Sequence, residues 1–243
     1  VVKEMYEINL GGTAIGTSLN TNPAYVTSLA PTLSKITGFP LNKAEDLIDG
    51  TQNLDSFANV SSVLKTCAIS CSKISNDLRL MSSGPRCGFG EINLPPMQNG
   101  SSIMPGKVNP VIPEVMSQAA FTIIGNDLII TMAAEAGQLE LNYAEPVLYH
   151  KLFESIIALT GALKTMTDNC IVGITANKER CRELVEGSVG IITAICPKLG
   201  YKESADIAKE AIKTGESVKS VLKKKNIMSD EEIEEILDPH SMV

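Results

Sequence analysis

Between Pro113 and Ala134 the chain places Val115, Met116, Phe121, Ile123, Ile124, Leu128, Ile129, Ile130 and Met132 round nearly every face of a helix instead of along one stripe. A helix of that kind has no side suited to water. It belongs in the middle of a bundle or an assembly, and at ~1.5 Å per residue it runs roughly 30 Å or more. A second long segment, 53–81, repeats Phe57, Val60, Leu64, Cys67, Cys71, Ile74, Leu78 and Met81 at alternating steps of three and four. That spacing is the seam of a helix packed lengthwise on its neighbours. Glu145-Pro146 opens a third helix, from Val147 to about Asn169, and the short connection makes it antiparallel to the one before. His150, near its start, reads as a polar contact within the bundle.

Shorter helices flank these three. Asn22-Pro23 starts one over 24–37, which Gly38 and Pro40 end. Beyond Gly173 the pieces 176–186, 189–195, 202–214, 218–225 and 229–237 follow, the last with Ser229 as its N-cap and Glu231-Glu232 in its first turn. The fold class is therefore all-α: a long-helix bundle over residues 1–177, then a small C-terminal helical domain over 178–243, with no strand pattern or internal repeat. The chain opens without a methionine inside an apparently helical run, Val1 to Leu10, and reads as the C-terminal portion of something longer.

A loop of small residues leads into the apolar helix: Gly100, Ser101, Ser102, Ile103, Met104, Pro105, Gly106, Lys107, Val108, Asn109, Pro110. Gly100, Pro105 and Gly106 favour a mobile or sharply turned backbone, so residues 100–106 read as a lid carrying two serine hydroxyls. Pro110 and Pro113 are tolerated in a first helical turn, which places the helix start near 109–113. Its unpaired N–H groups and positive dipole end suit a carboxylate. Lys107 stands just before that end, where a cation is disfavoured unless an anion lies between them, and such a local conflict points to function. Glu114, in the first turn, is favoured by the dipole and is placed to orient a proton-transfer group. Plainer readings stand beside these: a Gly/Ser linker, a solvated Lys107, Asn109 as an N-cap and Glu114 as an ordinary first-turn acid.

Gly100 to Pro110 resembles the signature loop G-S-S-x-M-P-x-K-x-N-P of the fumarase/aspartase superfamily, all-helical lyases that eliminate a group next to a carboxylate, and matches every fixed position. Gly11 to Thr17, Asn76 to Arg86 and Glu91 to Pro95 are similar to the same family, so the resemblance covers essentially the whole chain. Gly125-Asn126-Asp127, the run Met132 to Asn142 and Glu145-Pro146 resemble the aspartase branch. Fumarases typically carry a glycine- and serine-containing stretch with histidine in place of 133–138. Two positions depart: Gly106 stands where aspartases often have alanine, and Ser18 where glycine is common.

The resemblance implies that residues 1–177 are part of the superfamily's central helical domain. It implies reversible deamination of L-aspartate to fumarate and ammonia through an aci-carboxylate intermediate. Carried over by position, Ser101 is the base, Lys107 and Asn109 bind substrate carboxylate, and Glu114 supports a histidine from elsewhere. It further implies a homotetramer and a reaction that requires no metal or organic cofactor, with activation by a divalent cation such as Mg2+ left open. The remaining substrate-binding residues lie upstream of residue 1 in the family, so the isolated chain is expected to have little or no turnover. A fumarase and a non-catalytic helical assembly module remain as alternatives.

Composition bounds the partners. A net charge of −7 and a pI of ≈ 5.0 exclude the concentrated basic surface that nucleic acid needs, and Lys223-Lys224-Lys225 reads as a solvated helix end. No apolar run spans a bilayer uninterrupted by polar residues and no signal peptide is visible, so the expectation is a cytoplasmic protein without a membrane partner. Six cysteines without C-x-x-C spacing read as free, buried thiols in a reducing compartment, with Cys67 and Cys71 as small seam hydrophobes and no metal site.

Overall fold

The computed structural model describes residues 2–242, and the chain divides into two compact units, Val1–Leu80 with Leu94–Ile174, and Met81–Asn93 with Thr175–Val243. Sequence patterning put the division between 177 and 178. By contacts it falls between 174 and 175, and the segment 81–93 joins the C-terminal unit because it pairs there.

In the first unit, residues Val2–Tyr6 form a 3-10 turn followed by β1 (Glu7–Ile8), which pairs in parallel with β2 (Asn42–Lys43). The opening run is therefore not α-helical; pairing across the unit overrides its local pattern. Between the strands, α1 (Pro23–Thr37) starts where expected: the Asn22 side chain accepts the Ala24 N–H at 2.9 Å, Pro23 fills the first turn, and Gly38 ends the helix at φ 76°. Next come α2 (Leu47–Gln52) and the three long helices α3 (Asp55–Met81), α4 (Val111–Glu135) and α5 (Glu145–Asn169).

Neighbouring long helices run antiparallel. Lys65, early in α3, reaches Asp127 late in α4, whereas Arg79 at the far end of α3 meets Glu114 in the first turn of α4. Asn126 of α4 donates to Glu154 and Ser155 in the middle of α5. The turn between α4 and α5 is fastened by Asn142, which is 3% exposed: its amide donates to the Ala133 carbonyl at 2.8 Å and its oxygen accepts the Ala144 N–H at 2.8 Å. One side chain thus satisfies an orphan carbonyl of α4 and a donor ahead of α5. Around these bonds Leu54, Ile130, Ala133, Leu148 and Leu152 form a core, edged by Phe57 against Tyr149 at a ring separation of 5.1 Å.

The buried line of α3 differs from the predicted seam. Ser61, Ala68, Ser72, Ser75 and Leu78 are buried, while Phe57, Val60, Leu64, Cys67 and Cys71 are half-buried and Ile74 is exposed. Small side chains let two helix backbones approach closely, so they occupy the contact line and push the larger residues to its flanks. The Ser75 hydroxyl is satisfied locally, donating to the Cys71 carbonyl at 2.9 Å. On α4, Phe121, Leu128 and Met132 are exposed, so this chain covers only part of the apolar surface noted in the sequence. Among the described residues α4 is also the one helix long and apolar enough to cross a membrane by length and composition. Its middle carries Asn126 and Asp127, both buried and hydrogen-bonded across to α5 and α3, which fits the core helix of a bundle.

The second unit pairs β3 (Ile92–Asn93) with β4 (Thr175–Ala176) in antiparallel register, another short strand pair the sequence does not announce. It continues with α6 (Lys178–Gly187), a 3-10 stretch Val189–Ile195, α7 (Cys196–Leu199), α8 (Tyr201–Thr214), α9 (Val218–Lys225) and α10 (Asp230–Ile236). Ile195, Ile207, Val218, Val221, Leu222 and Ile233 form its core. The expected cap is present as a full capping box, with Ser229 and Glu232 each bonding the other's backbone N–H. The lysine cluster is ion-paired and not merely solvated: Lys223 with Asp230, Lys224 with Glu216 and Lys225 with Glu210.

Candidate active site

The loop 100–110 closes on itself at its neck. The Gly100 N–H donates to the Lys107 carbonyl at 2.7 Å, and Asn99 and Val108 form an isolated antiparallel bridge. Gly100 is required there: a Cβ would lie 2.8 Å from the Lys107 carbonyl oxygen and 3.0 Å from Asn109 Oδ1. The neck therefore gathers the three polar residues named from the sequence, since Ser101 follows Gly100 directly and Lys107 and Asn109 flank it. Beyond the neck the loop stands open, with Ile103 88% exposed and Gly106 at φ 80° in free space.

Ser101 Oγ accepts two backbone N–H groups, from Ile103 at 3.2 Å and Met104 at 3.1 Å. Two donors converging on one hydroxyl oxygen favour its ionised form and leave its own proton free to be given away. Ser102 has no comparable pair and is exposed. This backbone cradle is invisible in a list of side chains; the signal that could have found it is the Ser-x-x spacing of a serine turn.

Pro110 stands at the N-cap of α4 without a side-chain cap, and Asn109 is not the N-cap. The Asn109 side chain thus stays out of helix capping, and the Asn109 backbone carbonyl accepts the Val111 N–H at 2.9 Å. Glu114 is half-exposed, with Oε1 4.0 Å from Nη2 of Arg79, which lies in the last turn of α3. His150 is exposed on α5 beside Phe153, Glu154 and Ile157, so it is not an interior contact of the bundle and is not part of this loop's surroundings. Glu154 there is held below the usual carboxylate range, first by the hydrogen bond from Lys151 and next by that from Asn126.

Among the described residues no group of three His, Cys, Asp or Glu side chains converges as a metal site. The cysteines are less uniformly buried than expected: Cys170 is buried, Cys87 exposed and the other four half-buried, with no disulfide. Burial pushes the Cys71 thiol up, and the neighbouring Cys67 adds to it.

Residues 1–125, just over half of the chain, match the family model described as "Lyase". The chain belongs to this lyase family. Residues 191–243 match a second model, "Fumarase C C-terminus". The chain is 54% identical over 238 residues to aspartate ammonia-lyase from Bacillus sp, an alignment covering 98% of this chain and 51% of the relative. Among solved structures it superposes on the fumarate lyase:delta crystallin from Brucella melitensis bound to cobalt with a TM-score of 0.93 at 45% identity, covering 99% of this chain and 52% of that one. A class II fumarase from Schistosoma mansoni superposes with a TM-score of 0.87 at 31% identity, covering 98% and 53%. The chain thus spans about half the length of the relatives it matches.

Proposed function

We propose that this chain is the C-terminal portion of an aspartate ammonia-lyase. The reading rests most directly on the loop neck, where a serine oxygen that accepts two N–H groups stands with Lys107 and Asn109 ahead of an uncapped helix end. Likeness to an aspartate ammonia-lyase at 54% identity, against 31% for a class II fumarase, favours ammonia over water as the leaving group.

In this reading the Ser101 oxyanion removes a proton from the carbon of L-aspartate that carries the carboxymethyl carboxylate. The C–H electron pair flows into that carboxylate as an aci-carboxylate, and it returns as the carbon–nitrogen bond breaks, giving fumarate and ammonia. The costly species is the doubly charged intermediate, which fixed donors and cations stabilise best. Lys107 supplies the cation, the Asn109 amide a donor and the N-terminal end of α4 a positive dipole, and lid closure excludes water. Glu114, now beside Arg79, serves as the acid that orients a histidine supplied from outside this chain. No step calls for a metal or organic cofactor.

The exposed apolar residues of α4 and α5, among them Phe121, Leu128, Phe153 and Ile157, support assembly with further copies in a homotetramer. We place the intact protein in the cytoplasm, acting on a small dicarboxylate with neither nucleic acid nor membrane as partner. The test offers L-aspartate and L-malate separately to the full-length parent protein and follows the ultraviolet absorbance of fumarate. Fumarate from aspartate alone, lost in Ser101→Ala, upholds the reading. Fumarate from malate alone makes the protein a fumarase, and silence with both points to a scaffold.

A further inference from the structure

Cys67 and Cys71 stand one turn apart inside a continuous helix, α3, that runs from Asp55 to Met81. Residues four apart on a helix share a face, with Cβ atoms about 5–6 Å from each other. Both side chains flank the contact line of Ser61, Ala68, Ser72 and Ser75 and are half-buried, neither sealed in the core nor free in solvent. Cys67 lies close enough to act on the Cys71 thiol, and burial, ahead of that neighbour, pushes the Cys71 thiol up. At neutral pH Cys71 is therefore held in its protonated form.

Geometry and protonation together select what such a pair can bind. A disulfide needs Cβ atoms about 3.5–4.5 Å apart, closer than two residues one turn apart in an intact helix. Zinc takes four ligands and needs its cysteines as thiolates, and among the described residues no third His, Cys, Asp or Glu side chain joins the pair. A single soft atom bonded to both sulfurs spans the gap, because two bonds through that atom reach further than one S–S bond. Trivalent arsenic carrying one organic group is such a centre. It condenses with protonated thiols: two As–S bonds form, the As=O bond breaks, and both thiol protons leave with the oxygen as water, with no change of oxidation state. The burial that disfavours a thiolate site for a cation leaves the pair competent for this condensation.

The other cysteines are placed differently. The Cys181 and Cys196 thiols donate to the Glu91 and Ile192 carbonyls at 3.5 and 3.6 Å, Cys170 is buried and Cys87 is exposed.

We infer that Cys67 and Cys71 form a two-sulfur site on α3 for a mono-organic trivalent arsenical, which bridges one turn of the helix.

The test is intact-mass measurement of the folded 243-residue chain given one equivalent of phenylarsine oxide in excess 2-mercaptoethanol. A monothiol strips arsenic from a single cysteine but competes poorly against two sulfurs held at one site. The expected result is one phenylarsenic group on wild type and on Cys87→Ser, mapped by digestion to the peptide that holds both thiols. Occupancy should fall roughly tenfold or more in Cys67→Ser and in Cys71→Ser. Cys71→Ser combined with Ile69→Cys, at an exposed position, keeps the number of thiols but turns the second onto another face of α3, so it should lose the group as well. An unmodified wild type would overturn the inference, as would retention of the group in either serine variant or in the chain with the displaced thiol.

Discussion

Lys65 Nζ of α3 lies 2.6 Å from Asp127 Oδ2 of α4, and the other oxygen of the same carboxylate accepts the Ser61 hydroxyl at 2.8 Å. Asp127 is 6% exposed, in the middle of the most apolar helix of the chain. Removing it leaves a lysine and a serine without their acceptor in a largely dry layer. Asp127→Ala is expected to cost roughly 2–4 kcal/mol, somewhat below a fully buried pair because Lys65 keeps 34% of its side chain in water. Lys65→Met with Asp127→Leu should recover most of that loss. Urea denaturation followed by circular dichroism checks both; equal stability of wild type and Asp127→Ala would show that the pair contributes nothing.

Ser101→Ala removes the oxygen on which the Ile103 and Met104 N–H groups converge. In the full-length enzyme it should lower kcat by about 10²–10⁴-fold, the range for losing a positioned base, while Ser102→Ala should stay near wild type. Steady-state kinetics on both variants make the comparison, and similar losses in the two would remove the special position given to Ser101.

The long helices were legible because their apolar periodicity survives any neighbour, and the caps at Asn22 and Ser229 because a cap is a local bond. What could not be read was set by distant pairing. β1, β3 and β4 are two-residue strands with partners far along the chain, and the segment 81–93 belongs with the C-terminal unit through the β3–β4 pair and the hydrogen bonds of Asn177 and Arg180 to Gly90 and Phe89. The contact line of α3 was misplaced since hydrophobicity marks the larger side chains, whereas close helix packing selects Ser61, Ala68, Ser72 and Ser75. At the loop, the serine, lysine and asparagine were visible as residue types. The N–H groups that serve Ser101, and the glycine that shapes the neck, act through backbone geometry that a sequence carries only indirectly.

Gly16 sits at φ 79°, and a Cβ there would lie 2.3 Å from the Ile48 Cα. Both the conformation and the space exclude a side chain, and the obstructing atoms are backbone of α2, which cannot swing aside. Gly16→Ala should therefore destabilise the first unit by roughly 2–4 kcal/mol, more than the loss expected at Gly38, whose added Cβ meets nothing within 4 Å. Paired thermal melts of Gly16→Ala and Gly38→Ala give the ordering, and a smaller loss at Gly16 would contradict it.

The C-terminal unit should soften in acid through particular carboxylates. Glu232 is held below its ordinary range, first by the hydrogen bond from Lys198 and next by the backbone bond at Ser229, and Glu234 first by the hydrogen bond from Lys219. A carboxylate with a lowered folded pKa contributes its stabilisation above the unfolded value and loses it as pH falls through the folded one. The melting temperature is thus expected to hold from neutral pH to roughly pH 5 and to decline between roughly pH 5 and pH 3. Glu232→Gln and Glu234→Gln should lie lower at neutral pH and approach wild type in acid, because wild type then loses the same charge. Curves that stay parallel down to pH 3 would mean that these pairs do not couple folding to protons; convergence would assign the acid sensitivity to the capping box of α10 and the α9–α10 ion pairs.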